Sequence, residues 1–279
     1  MKPRRFWLCA DDYGISPAVN RAIRDLIGRR RINATSVMVG APSFDAGEAR
    51  ALDAVATENA GTRAALGLHL ALTAPFRPLG PYRPIAADGA FLSLRQMLAR
   101  GLLRALDGAA AAAEAERQIE AFQRAFGRPP DFIDGHQHVH LLPQVGDALL
   151  AVMKERTPAA WVRQCGRTAP PLKRRGHAKA HLLDVLSRRM RRRSALMGIA
   201  TNPGFAGAYD FRRPTTYDTV FASFLDGLPE GGVVMCHPGF VDAELQRLDH
   251  LTAMREREYA FFAAERFPQL LTQRGYALA

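Results

Sequence analysis

Short apolar runs of strand length alternate with amphipathic stretches of helix length over most of this 279-residue chain, and residues able to do chemistry fall where the apolar runs end. Residues 6–10 predict a first strand that stops at Asp11-Asp12, with Gly14 just beyond. Ser16 and Pro17 supply a cap and a first-turn proline for a helix to about Arg30. Residues 34–40, rich in Thr, Val and Met, predict a second strand, and residues 44–57 a helix. Residues 64–70 predict a third strand that delivers His69 near its end. Residues 109–126 read as a helix stopped by Gly127. Residues 132–134, 161–164 and 232–236 predict further strands, the last running into His237. Repeated strand-then-helix units predict an α/β fold: a barrel-like TIM-barrel variant, one domain over 1–279, with an insert around residues 166–200. Parallel strands bring their C-terminal ends to one face. Asp11, Asp12, His69, Asp134, His136 and His237 are therefore expected to share a site.

Two adjacent carboxylates repel each other unless a cation or a shared proton relieves them. Imidazoles from other strand ends would complete a metal site. His136, His138 and His140 alternate, so in an extended segment all three would face one way. The run lies past the predicted strand, where the chain turns, so one or two are expected to reach a metal. The others would hold the loop by hydrogen bonds. One carboxylate with two imidazoles leaves positions open for water and substrate. The same set serves non-haem iron oxygenases, but there Asp11 and His237 would have no role. A two-metal phosphoesterase would need a second ligand set, such as His138 and His140. The Pro- and Gly-rich stretch 73–90 is expected to be a long loop of the kind that shapes a site.

The formal charge of +11 is concentrated. Between Arg167 and Arg193 stand ten Lys or Arg residues against one acid, Asp184. Such a run could bind a nucleic-acid backbone. It interrupts an apolar helical pattern, however (Leu182, Leu183, Leu186, Met190), and residues 166–203 hold no Phe, Tyr or Trp to stack bases. A solvated helix face is expected, and no nucleic-acid partner. A basic face that meets a phosphorylated or lipid-linked ligand is the alternative. Cys9, Cys165 and Cys236 lack metal-knuckle spacing and cannot all pair, which fits a reducing compartment. Lys2, Arg4 and Arg5 precede an apolar run too short for a secretion signal, and no stretch reaches membrane-spanning length. A cytoplasmic protein without an integral membrane segment is expected, with a homodimer open to it.

Four motifs together resemble the YdjC/ChbG family of carbohydrate deacetylases: Ala10-Asp11-Asp12-Tyr13-Gly14, Gly67-Leu68-His69, the run Asp134 to His140, and Met235 to Asp242. Their order and spacing agree over essentially the whole chain. Gly127-Arg128-Pro129-Pro130 and the terminal Arg274-Gly275-Tyr276 extend the likeness. The resemblance implies a metal-dependent enzyme with a barrel-like α/β fold that removes acetyl groups from an acetylated amino sugar. It implies one divalent ion, Mg²⁺ or Zn²⁺, held by Asp12, His69 and His136. It implies Asp11 as the catalytic base, His237 as the general acid, and Arg163 as an arginine that orients Asp11 or the substrate. The backbone N–H of Tyr13 is a candidate to face the oxyanion. In the stretch 201–211, Phe205 or Tyr209 could stack on a sugar ring, or the segment could be a plain connection. The basic stretch has no counterpart in the family's motifs and leaves substrate choice open.

Overall fold

The computed structural model describes residues 2–57, 63–167, 178–209 and 216–279. Among them, the strands are β1 (Arg4–Tyr13), β2 (Ala34–Val37), β3 (Ala65–Leu70), β4 (Phe132–Gly135), β5 (Trp161–Val162), β6 (Phe205–Ala206), β7 (Gly232–Cys236) and β8 (Tyr276–Leu278). The helices are α1 (Pro17–Gly28), α2 (Ala46–Thr57), α3 (Leu94–Leu102), α4 (Gly108–Phe126), α5 (Pro143–Arg156), α6 (Ala178–Met197), α7 (Tyr217–Phe224), α8 (Ala243–Leu248), α9 (Ala253–Ala263) and α10 (Arg266–Arg274). All strand pairs are parallel, in the order β5-β4-β3-β2-β1-β7-β6, and β8 pairs with the start of β1. Two isolated parallel bridges, Val162–Thr201 and Arg167–Phe205, join the two ends of this path. The sheet thus curls into the barrel-like α/β form expected from the strand–helix alternation.

β2, β3 and β7 are buried at every residue, which is why, His69 apart, they read as runs of small and apolar side chains. The helix caps follow the sequence signals. Ser16 accepts from the Val19 N–H at the head of α1, and Gly127, at φ +66°, ends α4 in the left-handed conformation. A stack in the barrel wall fixes the site's floor. The Phe132 ring lies over Gly67, where a Cβ would come within 2.3 Å of it. The same ring stacks on Trp161 at 4.6 Å and has the Arg163 guanidinium 5.8 Å from its centre. Only glycine at 67 lets this stack form, two residues before His69.

Several boundaries differ from expectation. β1 continues through Asp11 and Asp12 to Tyr13, and β2 stops at Val37, where the chain turns under the site. The stretch 201–211 contains β6, whose Phe205 is buried in the core with no face free for a sugar; residues 210 and 211 lie outside the described residues. Of the basic segment, residues 168–177 lie outside the described residues. Arg167 forms the bridge to Phe205, and from Ala178 the segment is α6, which buries Leu186 and Met190. It turns Arg191, Arg192 and Arg193 outward, with Arg189 and Arg193 paired to Asp147 of α5. This is the amphipathic helix the apolar pattern implied. No helix among the described residues is long and apolar enough to cross a membrane.

Candidate active site

The acidic pair owes its geometry to an irregularity in β1. The β1–β2 register runs Cys9–Ala34 and Ala10–Thr35, then resumes at Tyr13–Val37, so β1 carries one extra residue. At that point Asp12 takes the left-handed conformation, φ +71°. In a regular strand neighbouring side chains point to opposite faces. A bulge re-aims them. Both carboxylates end up buried at the C-terminal mouth of the barrel, each 2% exposed.

Asp12 meets the two histidines expected of it. Its Oδ1 lies 3.2 Å from His69 Nε2 and 3.1 Å from His136 Nδ1, and the three groups offer ligand atoms within 4.8 Å of one another. Its Oδ2 is taken by Arg255 of α9 at 2.6 Å, and Arg255 also binds Asp249. Burial would raise the Asp12 carboxyl, but Arg255 and the hydrogen bonds to the histidines outweigh it and hold it well below the usual range. Burial would likewise lower His69. Asp134 and Asp12 push it the other way, up to about 10. The Phe76 ring, from the long 73–90 loop, stands edge-on to His136 at 5.4 Å, so this loop does help wall the site.

Asp11 faces Arg163. The guanidinium grips it through two contacts, Nη1–Oδ2 at 2.6 Å and Nη2–Oδ1 at 2.8 Å, and reaches Asp134 Oδ2 at 2.5 Å. Asp134 in turn holds His69 Nδ1 at 2.6 Å. Ser36 touches both Asp11 and His69, at 3.2 and 3.0 Å. Burial opposes ionisation of Asp11, but the charge of Arg163 prevails and lowers its pKa strongly. One buried chain of charges therefore runs from Asp11 through Arg163 and Asp134 to His69.

His237 follows β7 directly. Its backbone N–H donates to Glu258 Oε2 at 2.6 Å, and the Tyr209 hydroxyl donates to the other oxygen of Glu258 at 2.7 Å. His237 lies close enough to Asp11 to act on its charge. The other two histidines of the run go elsewhere, because residues 136–141 form a tight turn with a left-handed kink at Gln137 and His138, not an extended segment. His140 is fully buried and donates from Nε2 to the Arg163 carbonyl at 2.8 Å, holding the loop. His138 sets Nδ1 3.5 Å from the Cys165 sulfur. Neither joins the Asp12 cluster, so a second ligand set built from them does not form.

Sequence reasoning singled out Asp11, Asp12, His69, His136, Arg163 and His237, and the fold gathers them at one end of the sheet. It passed over three buried charges. Asp134 was recognised as a strand end but not as the link between His69 and Arg163. Arg255 and Glu258, three apart on α9, share the helix face that buries Met254, Phe261 and Phe262. Charged residues at core positions of a helix were the available signal.

The family described as YdjC-like protein matches residues 5–273 of the chain. The chitooligosaccharide deacetylase of Yersinia pestis bv. Antiqua (strain Angola) is 28% identical over 280 residues, covering 96% of this chain and 94% of that protein. The protein of the same name from Yersinia pseudotuberculosis serotype O:1b (strain IP 31758) is 28% identical over 278 residues, with the same coverage. Among solved structures, a protein of Enterococcus faecalis V583, provisionally described as a cellobiose-phosphate cleavage protein, superposes with a TM-score of 0.75 at 20% identity. The match covers 100% of this chain and 97% of that one, a likeness of fold.

Proposed function

Since the chain belongs to the YdjC-like family, we propose that it is a carbohydrate deacetylase that uses one divalent cation to hydrolyse the acetamide of an N-acetylated amino sugar of the chito-oligosaccharide kind. The observation that carries this reading is the convergence of Asp12, His69 and His136 beside the ion-paired Asp11. The relatives named chitooligosaccharide deacetylase support it along nearly their whole length.

The donor set fits a cation. Two ring nitrogens approach the same oxygen, Asp12 Oδ1, and such contacts call for protons on the rings or a positive ion among them. Two imidazoles and a carboxylate suit Zn²⁺ or another first-row divalent ion, and Mg²⁺ is open to them at lower affinity. Asp12, His69 and His136 would hold it. When bound, such an ion acts as a Lewis acid toward water and toward the acyl oxygen.

The chain's own residues do the rest. An acetamide is a poor electrophile, and its amine leaves only when protonated, so a base and an acid are both required. Asp11 is the base. Arg163 keeps it ionised and fixed in direction, and also weakens its hold on a proton, so that an accepted proton is passed on rather than kept. His237, on a loop tied down by Glu258, delivers a proton to the departing nitrogen. Asp134 holds the proton on His69 Nδ1, which leaves Nε2 facing Asp12.

Metal analysis of the purified protein, with acetate release measured on a panel of N-acetylated sugars, tests the reading. Phosphorylated N-acetylhexosamines belong in the panel, because the outward arginines of α6 would favour an anionic substrate. One equivalent of metal and acetate from at least one sugar are expected. His69→Ala and His136→Ala should lose stoichiometric metal and keep the fold. Full occupancy in both variants overturns the ligand set, and no acetate from any sugar overturns the reaction.

A further inference from the structure

His138 takes no part in the cluster at Asp12, yet its surroundings are unusual. Both it and Gln137 adopt the left-handed conformation, at φ +60° and +53°. Side chains with a Cβ rarely adopt this region, and residues held there carry strain of about 1–3 kcal/mol each. A glycine would relieve it, so the turn holds these residue types against a cost. Strain of this kind collects where a side chain must be aimed.

The ring is clamped on two sides. The Phe205 ring meets it edge-on at 6.1 Å, and the buried Cys165 thiol lies 3.5 Å from Nδ1. An imidazole nitrogen is a strong acceptor and a thiol sulfur a poor one, so the favoured pairing has the S–H donating to Nδ1. The ring proton then sits on Nε2. Nε2 makes no hydrogen bond to the described residues and is not sealed from solvent. His138 stands two residues beyond His136, which touches Asp12, and its partner Cys165 two beyond Arg163, which grips Asp11. An N–H donor thus stands on the turn that follows β4, between the segment that carries His136 and the one that carries Arg163.

We propose that His138 is a further catalytic residue, one that donates an Nε2–H hydrogen bond to an oxygen of the acetylated unit. The inference rests on the deacetylase reading and adds to it a substrate contact outside the metal ligands. It also assigns Cys165 a positioning role, since its thiol selects which nitrogen carries the proton.

Three variants test it. His138→Phe keeps an aromatic ring beside Phe205 and removes both nitrogens. His138→Gln keeps a donor. His138→Asn tolerates the left-handed backbone but is too short to reach. Expected results are a loss in kcat/KM on the order of 10- to 100-fold for Phe and Asn, with partial recovery for Gln and unchanged metal content. His138→Asn should also hold or raise the thermal midpoint, because strain is relieved. A residue that served only structure would lower the midpoint and spare the rate of the folded protein. Nitrogen-15 NMR of labelled histidine reads the tautomer directly and should show Nε2–H at His138 in the wild type, with a larger Nδ1–H share in Cys165→Ala. If the wild type cleaves sugars but His138→Phe does so within twofold, or the resting tautomer is Nδ1–H, the inference fails alone. If the wild type cleaves no N-acetylated sugar, the proposed function fails first and takes the inference with it.

Discussion

Arg255 holds one oxygen of Asp12 at 2.6 Å and so turns the other toward His69 and His136. The pair is fully buried, and the two residues stand 243 positions apart in the chain. Removing one partner of a buried ion pair leaves a charge without compensation, which typically costs about 3–5 kcal/mol. Arg255→Leu should therefore be destabilised on that order. A divalent ion would neutralise the stranded Asp12, so added metal should raise the melting temperature of the variant more than that of the wild type. Scanning fluorimetry with and without metal measures both, and equal shifts in the two proteins would count against the assigned pairing.

Asp134 fixes the orientation and tautomer of His69 through Nδ1 while binding Arg163. An asparagine there would lose the charge that both contacts use. Asp134→Asn is expected to weaken metal binding by about 10- to 100-fold, as is common when the partner of a metal-binding histidine is changed. Competition against a chelating dye gives the affinity. An unchanged value would mean that His69 is oriented by Ser36 alone.

The assignments of base and acid separate by substrate. Asp11→Asn should keep metal and lose on the order of 10²–10⁴ in rate. His237→Ala should cost a comparable factor on an acetamide but far less on an aryl acetate, whose leaving group needs no proton. Equal losses on both substrates would show that His237 positions substrate or metal instead.

The fold itself should be acid-sensitive through the histidine run. Burial drives His140 down from 6.5 to about 4, and His138 is lowered by burial as well. Between those two values the unfolded chain binds a proton at His140 that the folded protein refuses. Stability from this residue is therefore complete above about pH 6.5 and is lost as pH falls toward 4. At about 1.4 kcal/mol per unit, the loss is about 3 kcal/mol. His140→Gln keeps a donor for the Arg163 carbonyl and should show a shallower decline. Urea unfolding at pH 7 and pH 4.5 compares the slopes, and parallel curves would rule out His140 as the source.

Much of the site was readable because it depends on local rules. Apolar runs of strand length ended in Asp or His, and parallel strands place such ends together whatever the details of packing. That reasoning reached Asp11, Asp12, His69, His136 and His237. The family motifs, with Arg163 among the residues they implied, added roles that periodicity alone does not carry. Arg255 and Glu258 escaped because a charged residue inside a helix looks the same in sequence whether it faces water or the core. Which face α9 buries depends on what it packs against.

By itself, then, the sequence determined the alternation of strands and helices, the parallel sheet and the residue types at the strand ends, since these follow from hydrophobic period and capping chemistry within a few residues. The tertiary structure alone decided how those side chains are aimed. One extra residue in β1 turns two neighbouring carboxylates into the same mouth. A tight left-handed turn sends His136 to Asp12, His138 to Cys165 and His140 to the Arg163 carbonyl. Both features depend on register and close packing between segments far apart in the chain, and pairwise spacing along a sequence carries no information about either.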